Sequence, residues 1–231
     1  MSRDIYTGYH GAMTAWRQLE VVSNNVANLS THGFKAQDVR FVVDANPPDG
    51  ELSPTRAAIE DIGLDLSEGS LERTGDPLHV AVTGQGWLVV DGGGEELLTR
   101  NGKLQMSEDG TLLAAGLPLL GEDGPLQVDP SLDLSIDQLG NVSQAGEVVG
   151  RIRLAAAEEL EPLGVSTYRP VGALQDATGS IEPGHLERSN VNPMEAMVDL
   201  IMASRRMEIA QKALQASEEM DRTSARNGSP K

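Results

Sequence analysis

Positions Ile5, Tyr9, Ala12, Trp16, Leu19, Ser23 and Val26 recur with alternating spacings of four and three, which places them on one stripe of a helix in the manner of a coiled-coil seam. The pattern predicts one helix over residues 4 to 28. Tyr6, Met13 and Val22 widen the stripe, giving the helix surface for more than one neighbour. Ser30-Thr31-His32-Gly33 supplies turn formers after Asn28, and Gly33 can take the positive φ that ends a helix.

A second helix is predicted near the other end. Asn192 is placed to cap the first-turn amides, Pro193 fits the first helical position with its φ preset, and Glu195 completes an arrangement like a capping box. Downstream, Val198, Met202, Ile209, Ala213, Ala216 and Met220 keep the helical period beside Met194, Met197, Ile201 and Leu214, until Asn227-Gly228-Ser229-Pro230 stops it. Methionine-rich stripes adapt to irregular neighbours. Taken by themselves, these residues leave two arrangements open: a private pair of amphipathic helices, or helices covered by other chains.

Between the helices the period shortens to that of strands. Runs at 78–82, 87–91, 97–99, 103–106, 111–113 and 119–120 alternate with Gly84-Gln85-Gly86, Gly92-Gly93-Gly94, Asn101-Gly102 and Asp109-Gly110, all read as turns, the first two as hairpin turns. Further strands are expected at 126–128, 134–136, 141–143, 147–149 and 151–156. Residues 44 to 70 lack a clear period and read as an extended connector with one or two short strands near Ile59 to Leu66. A return segment is expected around Gln175 to Gly184.

Composition narrows the class. Aromatics are 3% and cysteine is absent, so the core is aliphatic and neither a disulfide framework nor a thiolate metal site is available. The formal net charge of −17 disfavours nucleic acid and anionic membrane surfaces as partners. That charge is concentrated: residues 1 to 40 carry +1, the stretch from 190 onward is neutral, and the middle holds −18. Charge-balanced ends can be crowded together in many copies, whereas an acidic middle stays solvated. No run of about 18 apolar residues is present, and the N-terminus lacks the order of a cleaved signal peptide, so the mature chain is expected to begin at Met1 or Ser2 without membrane insertion.

No constellation for catalysis stands out. His10, His32, His79 and His185 share no metal-ligand spacing, and the pairs Glu158-Glu159 and Glu218-Glu219 read as solvated charge. Neither glycine run opens a helix or is followed by a phosphate-binding lysine, and no nucleophile elbow is present. The expectation is a non-enzymatic protein with no cofactor and no metal. The rival from another class is an extracytoplasmic enzyme or carbohydrate-binding β domain with a helical hairpin attached.

The unusual stretch is Ser23-Asn24-Asn25-Val26-Ala27-Asn28-Leu29-Ser30-Thr31-His32-Gly33-Phe34-Lys35, whose three asparagines at a helix end can satisfy exposed carbonyls and bridge chains. It resembles the signature of the flagellar rod and hook protein family. Asp76 to Trp87 and Leu98-Thr99-Arg100-Asn101-Gly102-Lys103-Leu104 are similar to that family's β segments, and Leu186 to Val198 resembles its C-terminal signature. Trp87 departs from the usual Phe, and His32 fills a position often held by Thr or Pro. Ile5-Tyr6, the short length and Val191-Asn192-Pro193-Met194-Glu195-Ala196-Met197 look most like the proximal-rod members, with distal-rod and hook members as the alternative.

The resemblance implies an axial subunit of the bacterial flagellar basal body, exported uncleaved through the flagellar type III apparatus and assembled in the periplasm with copies of itself and other rod subunits. The expected fold is α+β. Residues 1–40 and 188–231 pair as a coiled-coil-like helical assembly domain, 41–70 form a connector, and 71–187 form a mainly antiparallel β domain with its return segment. Ile5, Tyr9, Trp16, Leu19, Val26, Asn24, Asn25, Asn28, Val198, Met202, Ile209, Ala213 and Met220 are the expected assembly interface. In the free chain the terminal stripes are expected to be partly disordered.

Overall fold

The computed structural model describes residues 3–43 and 57–227. The turn-rich part of the expected connector, Asn46 to Pro54, lies outside the described residues. Helix α1 spans Arg3–Ala27 and α2 spans Pro193–Asn227. Between them run β1 (Gln37–Val43), β2 (Ala57–Leu64), β3 (Leu71–Arg73), β4 (Val80–Thr83), β5 (Trp87–Asp91), β6 (Glu96–Thr99) and β7 (Gln105–Met106). They are followed by β8 (Leu112–Ala114), β9 (Leu117–Pro118), β10 (Leu120–Gly121), β11 (Gly124–Pro125), β12 (Leu134–Ile136), β13 (Asn141–Gln144) and β14 (Glu147–Arg151). The last are β15 (Leu154–Ala156), β16 (Glu159–Pro162), β17 (Thr167–Val171), β18 (Gln175–Asp176), β19 (Ser180–Pro183) and β20 (His185–Glu187). The class is α+β, and every strand pair among the described residues is antiparallel.

Contacts divide the chain into two units. One comprises Met1–Ala27, Gln37–Asp65 and Asn192–Lys231; the other comprises Asn28–Ala36 and Leu66–Val191. In the first, α1 touches α2 and also packs on β1, which forms a hairpin with β2 carrying a bulge between Arg40 and Phe41. The α2 start follows its sequence: the Asn192 side-chain oxygen accepts from the Met194 amide at 3.1 Å, and its carbonyl accepts from Ala196 at 2.9 Å. The inward face of α2 carries Ala196, Leu200, Ala203, Met207, Ala210 and Leu214, all buried or half-buried and spaced alternately by four and three.

The second unit is built on a six-stranded sheet in the order β16-β17-β6-β5-β15-β18, accompanied by smaller sheets. Trp87-Leu88-Val89-Val90 of β5 is buried on both faces, as a continuous apolar run in a central strand requires. Val80, Val82, Leu88, Val90, Leu97, Leu104, Leu112, Leu119, Val142, Ile152 and Ile181 form the core. Each such side chain contributes roughly 1.5–3 kcal/mol on full burial.

Some turns differ from expectation. Gly92-Gly93-Gly94 closes the β5–β6 hairpin, with Asp91 accepting from the Gly93 and Gly94 amides at 2.9 and 2.7 Å. Gly84-Gln85-Gly86 does not close a hairpin: it carries the chain from β4, paired with β19, to β5 in the large sheet. Residues 126–128 form no strand: Gln127 bridges Thr111, and Leu126 and Val128 make single backbone hydrogen bonds to Leu112, Leu119 and Gly110. The expected return segment holds two strands, β18 on the edge of the large sheet and β19 beside β4.

Candidate functional site

In the helical unit, the stripe read as one seam on α1 is split between inside and outside. Ala12 is buried, Leu19 and Val26 are half-buried, and Tyr9 and Trp16 are 56% and 55% exposed. On α2, Val198 and Met202 are about half exposed and Ile209 is 67% exposed, with Met194, Met197 and Ile201 on the surface beside them. Ala213 is also exposed, while the side chains of Ile5 and Met220 lie outside those described. Beside the faces that meet, Gly11, Thr14, Ala15 and Gln18 of α1 line a groove with Arg206, Ile209, Ala210 and Ala213 of α2. There the Arg206 guanidinium donates to Gln18 Oε1 at 2.8 Å. Contiguous large apolar side chains left in water mark interaction surfaces.

The asparagines at the end of α1 are engaged within the chain. Asn25 grips the backbone of Gln37 at both poles, donating to its carbonyl at 2.8 Å and accepting from its amide at 2.9 Å. Asn24 donates to the Gln37 side chain at 3.0 Å. Asn28 is buried and accepts from the Thr31 hydroxyl at 3.0 Å.

In the β-rich unit, three stretches singled out by sequence meet at a buried ion cluster. Lys35 has no exposed side-chain surface; its ammonium donates to Glu187 Oε1 at 2.7 Å and to the Ser67 carbonyl at 2.6 Å. Glu187 is 1% exposed and also accepts from the Gly69 amide at 2.9 Å and from Arg100 at 3.3 Å. Arg100 donates in addition to the carbonyls of Val82 at 2.7 Å and Gly84 at 2.6 Å. Its Nε has no hydrogen-bond partner, but the guanidinium lies over the Trp87 ring, 5.1 Å from the centroid, a cation–π contact. The Lys35 ammonium is 5.9 Å from that centroid, and the Tyr168 ring meets Trp87 edge-on at 5.1 Å.

Backbone ties close the cluster. The Gly33 amide donates to the Glu187 carbonyl at 2.8 Å, the Lys35 amide to the Tyr168 hydroxyl at 3.1 Å, and the Ala36 amide to Asn190 Oδ1 at 2.7 Å. Gly33 has φ +67°, and a Cβ there would overlap the Arg100 carbonyl, so glycine is required twice over. Burial pushes the Lys35 ammonium below its usual pKa, with the Glu187 charge and hydrogen bond opposing that shift. Desolvation pushes the Tyr168 phenol up to about 12.

These groups are spent on one another, so the arrangement anchors chain segments. The pairing of Lys35, Arg100 and Glu187 was not anticipated from sequence; the available signal was a lysine and an arginine inside motifs otherwise free of nearby charge partners. Of the histidines, His79 bonds the Thr74 hydroxyl at 2.9 Å and His185 the Pro183 carbonyl at 2.9 Å. Among the described residues no group of three or more His, Cys, Asp or Glu could hold a metal ion, and no helix is long and apolar enough to cross a membrane.

Comparison with known proteins covers the same stretches. A family model described as flagella basal body rod protein matches residues 5–35, and one described as flagellar basal body rod FlgEFG protein C-terminal matches residues 182–227. Lys35 ends the first match, and Glu187 lies within the second. Over nearly its whole length the chain is similar to the flagellar basal-body rod protein FlgF of Salmonella typhimurium, 34% identical over 241 residues and 95% of each chain. FlgF of Escherichia coli is 34% identical over 236 residues, 93% of each chain. The flagellar basal-body rod protein FlgG of Bacillus subtilis is 28% identical over 255 residues, 95% of this chain and 97% of that one.

Proposed function

The chain belongs to the flagellar basal-body rod protein family, a structural family, and from that premise we propose that it is an axial rod subunit that polymerises through its terminal helices and transmits torque. The observation that carries the reading is the apolar surface left open on α1 and α2. Tyr9, Met13 and Trp16 on one helix, and Met194, Met197, Val198, Ile201, Met202 and Ile209 on the other, are exposed in the single chain. Burial of such side chains by neighbouring subunits supplies roughly 1.5–3 kcal/mol each, enough in aggregate to hold a filament whose subunits carry little net charge at their ends.

In this reading the interface comprises Ile5, Tyr9, Trp16, Leu19 and Val26 from α1, and Val198, Met202, Ile209, Ala213 and Met220 from α2, seated in a coiled-coil-like packing. Asn24, Asn25 and Asn28 lie at its border and fix the end of α1. Torque passes along interdigitated side chains, and the acidic β-rich unit faces solvent. The partners are copies of the chain and other rod proteins. The subunit reaches the periplasm through the flagellar type III apparatus without cleavage. Similarity to the FlgF relatives favours the proximal rod, and similarity to FlgG keeps the distal rod as the alternative.

The test is complementation of a strain lacking this chain. Trp16→Asp and Ile209→Asp each place a carboxylate in a seam that must be dry; both should be exported yet leave basal bodies incomplete and cells non-motile, while Lys103→Ala swims normally. Complete basal bodies from both aspartate variants would refute assembly through these faces. Locating the tagged chain along imaged basal bodies separates proximal from distal rod.

A further inference from the structure

Lys35 and Glu187 are 152 positions apart, and the strands between them build the wall against which both are buried. Their dependence on each other is unequal. Without Lys35, the Glu187 carboxylate keeps Arg100 and the Gly69 amide, and its strand β20 stays laddered to β3. Without Glu187, the Lys35 ammonium keeps the Ser67 carbonyl, the weaker influence of the Glu68 charge and a place 5.9 Å over the Trp87 ring, next to the like charge of Arg100. A buried cation that loses its hydrogen-bonded counter-charge is far costlier than one returned to water.

The segment that carries Lys35 has no sheet of its own to hold it. Asn28–Ala36 contains no strand, and its hold on this unit runs through the Gly33, Lys35 and Ala36 amides and through Phe34, which is 1% exposed. We infer that Lys35 and Glu187 form a one-way latch: the Asn28–Ala36 segment docks only on a β-rich unit already complete through Glu187, whereas Glu187 takes its place whether or not Lys35 has arrived. Because the chain passes directly from Ala27 to Asn28 and from Ala36 to Gln37, the latch delays fixing of the α1 connection until the whole intervening chain is present and folded. A chain cut short or misfolded before Glu187 denies Lys35 its one hydrogen-bonded carboxylate and leaves residues 33–36 loose.

Amide hydrogen exchange on the full chain tests this. In Glu187→Gln, the Gly33, Lys35 and Ala36 amides should exchange at least tenfold faster, while those of Val80–Val82 and Leu88–Val90 stay as slow as in the parent. In Lys35→Met, the Arg188 amide, which donates to Ser70 at 3.0 Å, should keep its parental rate. The double variant should recover protection at Gly33 and Ala36, since no unpaired ammonium remains. Unchanged protection of 33–36 in Glu187→Gln overturns the latch, as does loss at Arg188 in Lys35→Met. Should Glu187→Gln not fold, the parent chain in graded denaturant decides: the 33–36 amides must open before those of β4 and β5, and opening together with them overturns it equally.

Discussion

Replacing Gly33 by alanine adds one methyl group where two independent costs meet. The residue sits at φ +67°, a conformation that costs an L side chain about 1–2 kcal/mol. The new Cβ would also fall on the Arg100 carbonyl and the Asn101 amide nitrogen. That carbonyl cannot easily retreat, because the Arg100 side chain is tied to Val82, Gly84 and Glu187. Overpacking of this kind costs about 1–3 kcal/mol, for a total of about 2–5 kcal/mol. Gly116 isolates the first cost, since it has φ +80° with nothing within 4 Å of an added Cβ. Gly116→Ala should therefore lose only about 1–2 kcal/mol. The assay is urea unfolding followed by Trp87 fluorescence in a Trp16→Phe background, which leaves Trp87 as the one tryptophan of the two. With a slope of about 1–3 kcal/mol per molar urea, Gly33→Ala should unfold on the order of 1 M earlier than Gly116→Ala, with the slope unchanged. Equal midpoints would refute the claim that the Arg100 backbone is immovable.

Two further outcomes follow from named groups. The Tyr168 phenol is raised from 10.0 to about 12 by desolvation; the folded chain therefore holds a proton that the unfolded chain releases, and stability present below about pH 10 falls as pH rises through about 12, by about 3 kcal/mol. Tyr168→Phe should abolish that part of the alkaline decline in unfolding midpoints, and an identical decline in the variant would exclude Tyr168 as its source. Asn192→Ala should cost α2 about 1 kcal/mol, read as faster exchange of the Met194 amide; an unaltered rate there would mean that the cap seen at 3.1 Å contributes nothing.

Local chemistry made several elements legible and left others hidden. Trp87-Leu88-Val89-Val90 reads as a strand because the apolar run is short and bounded by glycine turns on both sides, and Asn192-Pro193 reads as a helix start because one residue supplies the cap and the next the preset φ. Turn residues, by contrast, say where the chain bends and not what the following strand pairs with. Gly84-Gln85-Gly86 therefore passes for a hairpin while joining two sheets, and the order β16-β17-β6-β5-β15-β18 leaves no local trace. On α1 the spacing located the apolar positions, but a helix with more than one neighbour spreads them over several faces, so Ala12 is buried while Trp16 is 55% exposed. The ion cluster was hidden for a related reason: partners 152 positions apart produce no periodicity.

The departure at Trp87, where the family pattern has Phe, acquires a physical sense in that cluster. Two cations, Lys35 and Arg100, share one carboxylate, Glu187, in a region almost closed to water. The unmatched positive charge must be met by dipoles and by polarisable surface. The carbonyls of Ser67, Val82 and Gly84 supply the dipoles at 2.6 to 2.7 Å, and the indole ring supplies the surface, with both cations within 5.9 Å of its centroid. An indole face attracts a cation more strongly than a phenyl face, and more so when desolvated. The same ring meets Tyr168 edge-on, and Tyr168 in turn receives the Lys35 amide at 3.1 Å. Charge excess, aromatic face and backbone tie thus act on one short segment, which is why the side chain at position 87 bears on how firmly residues 33–36 are held.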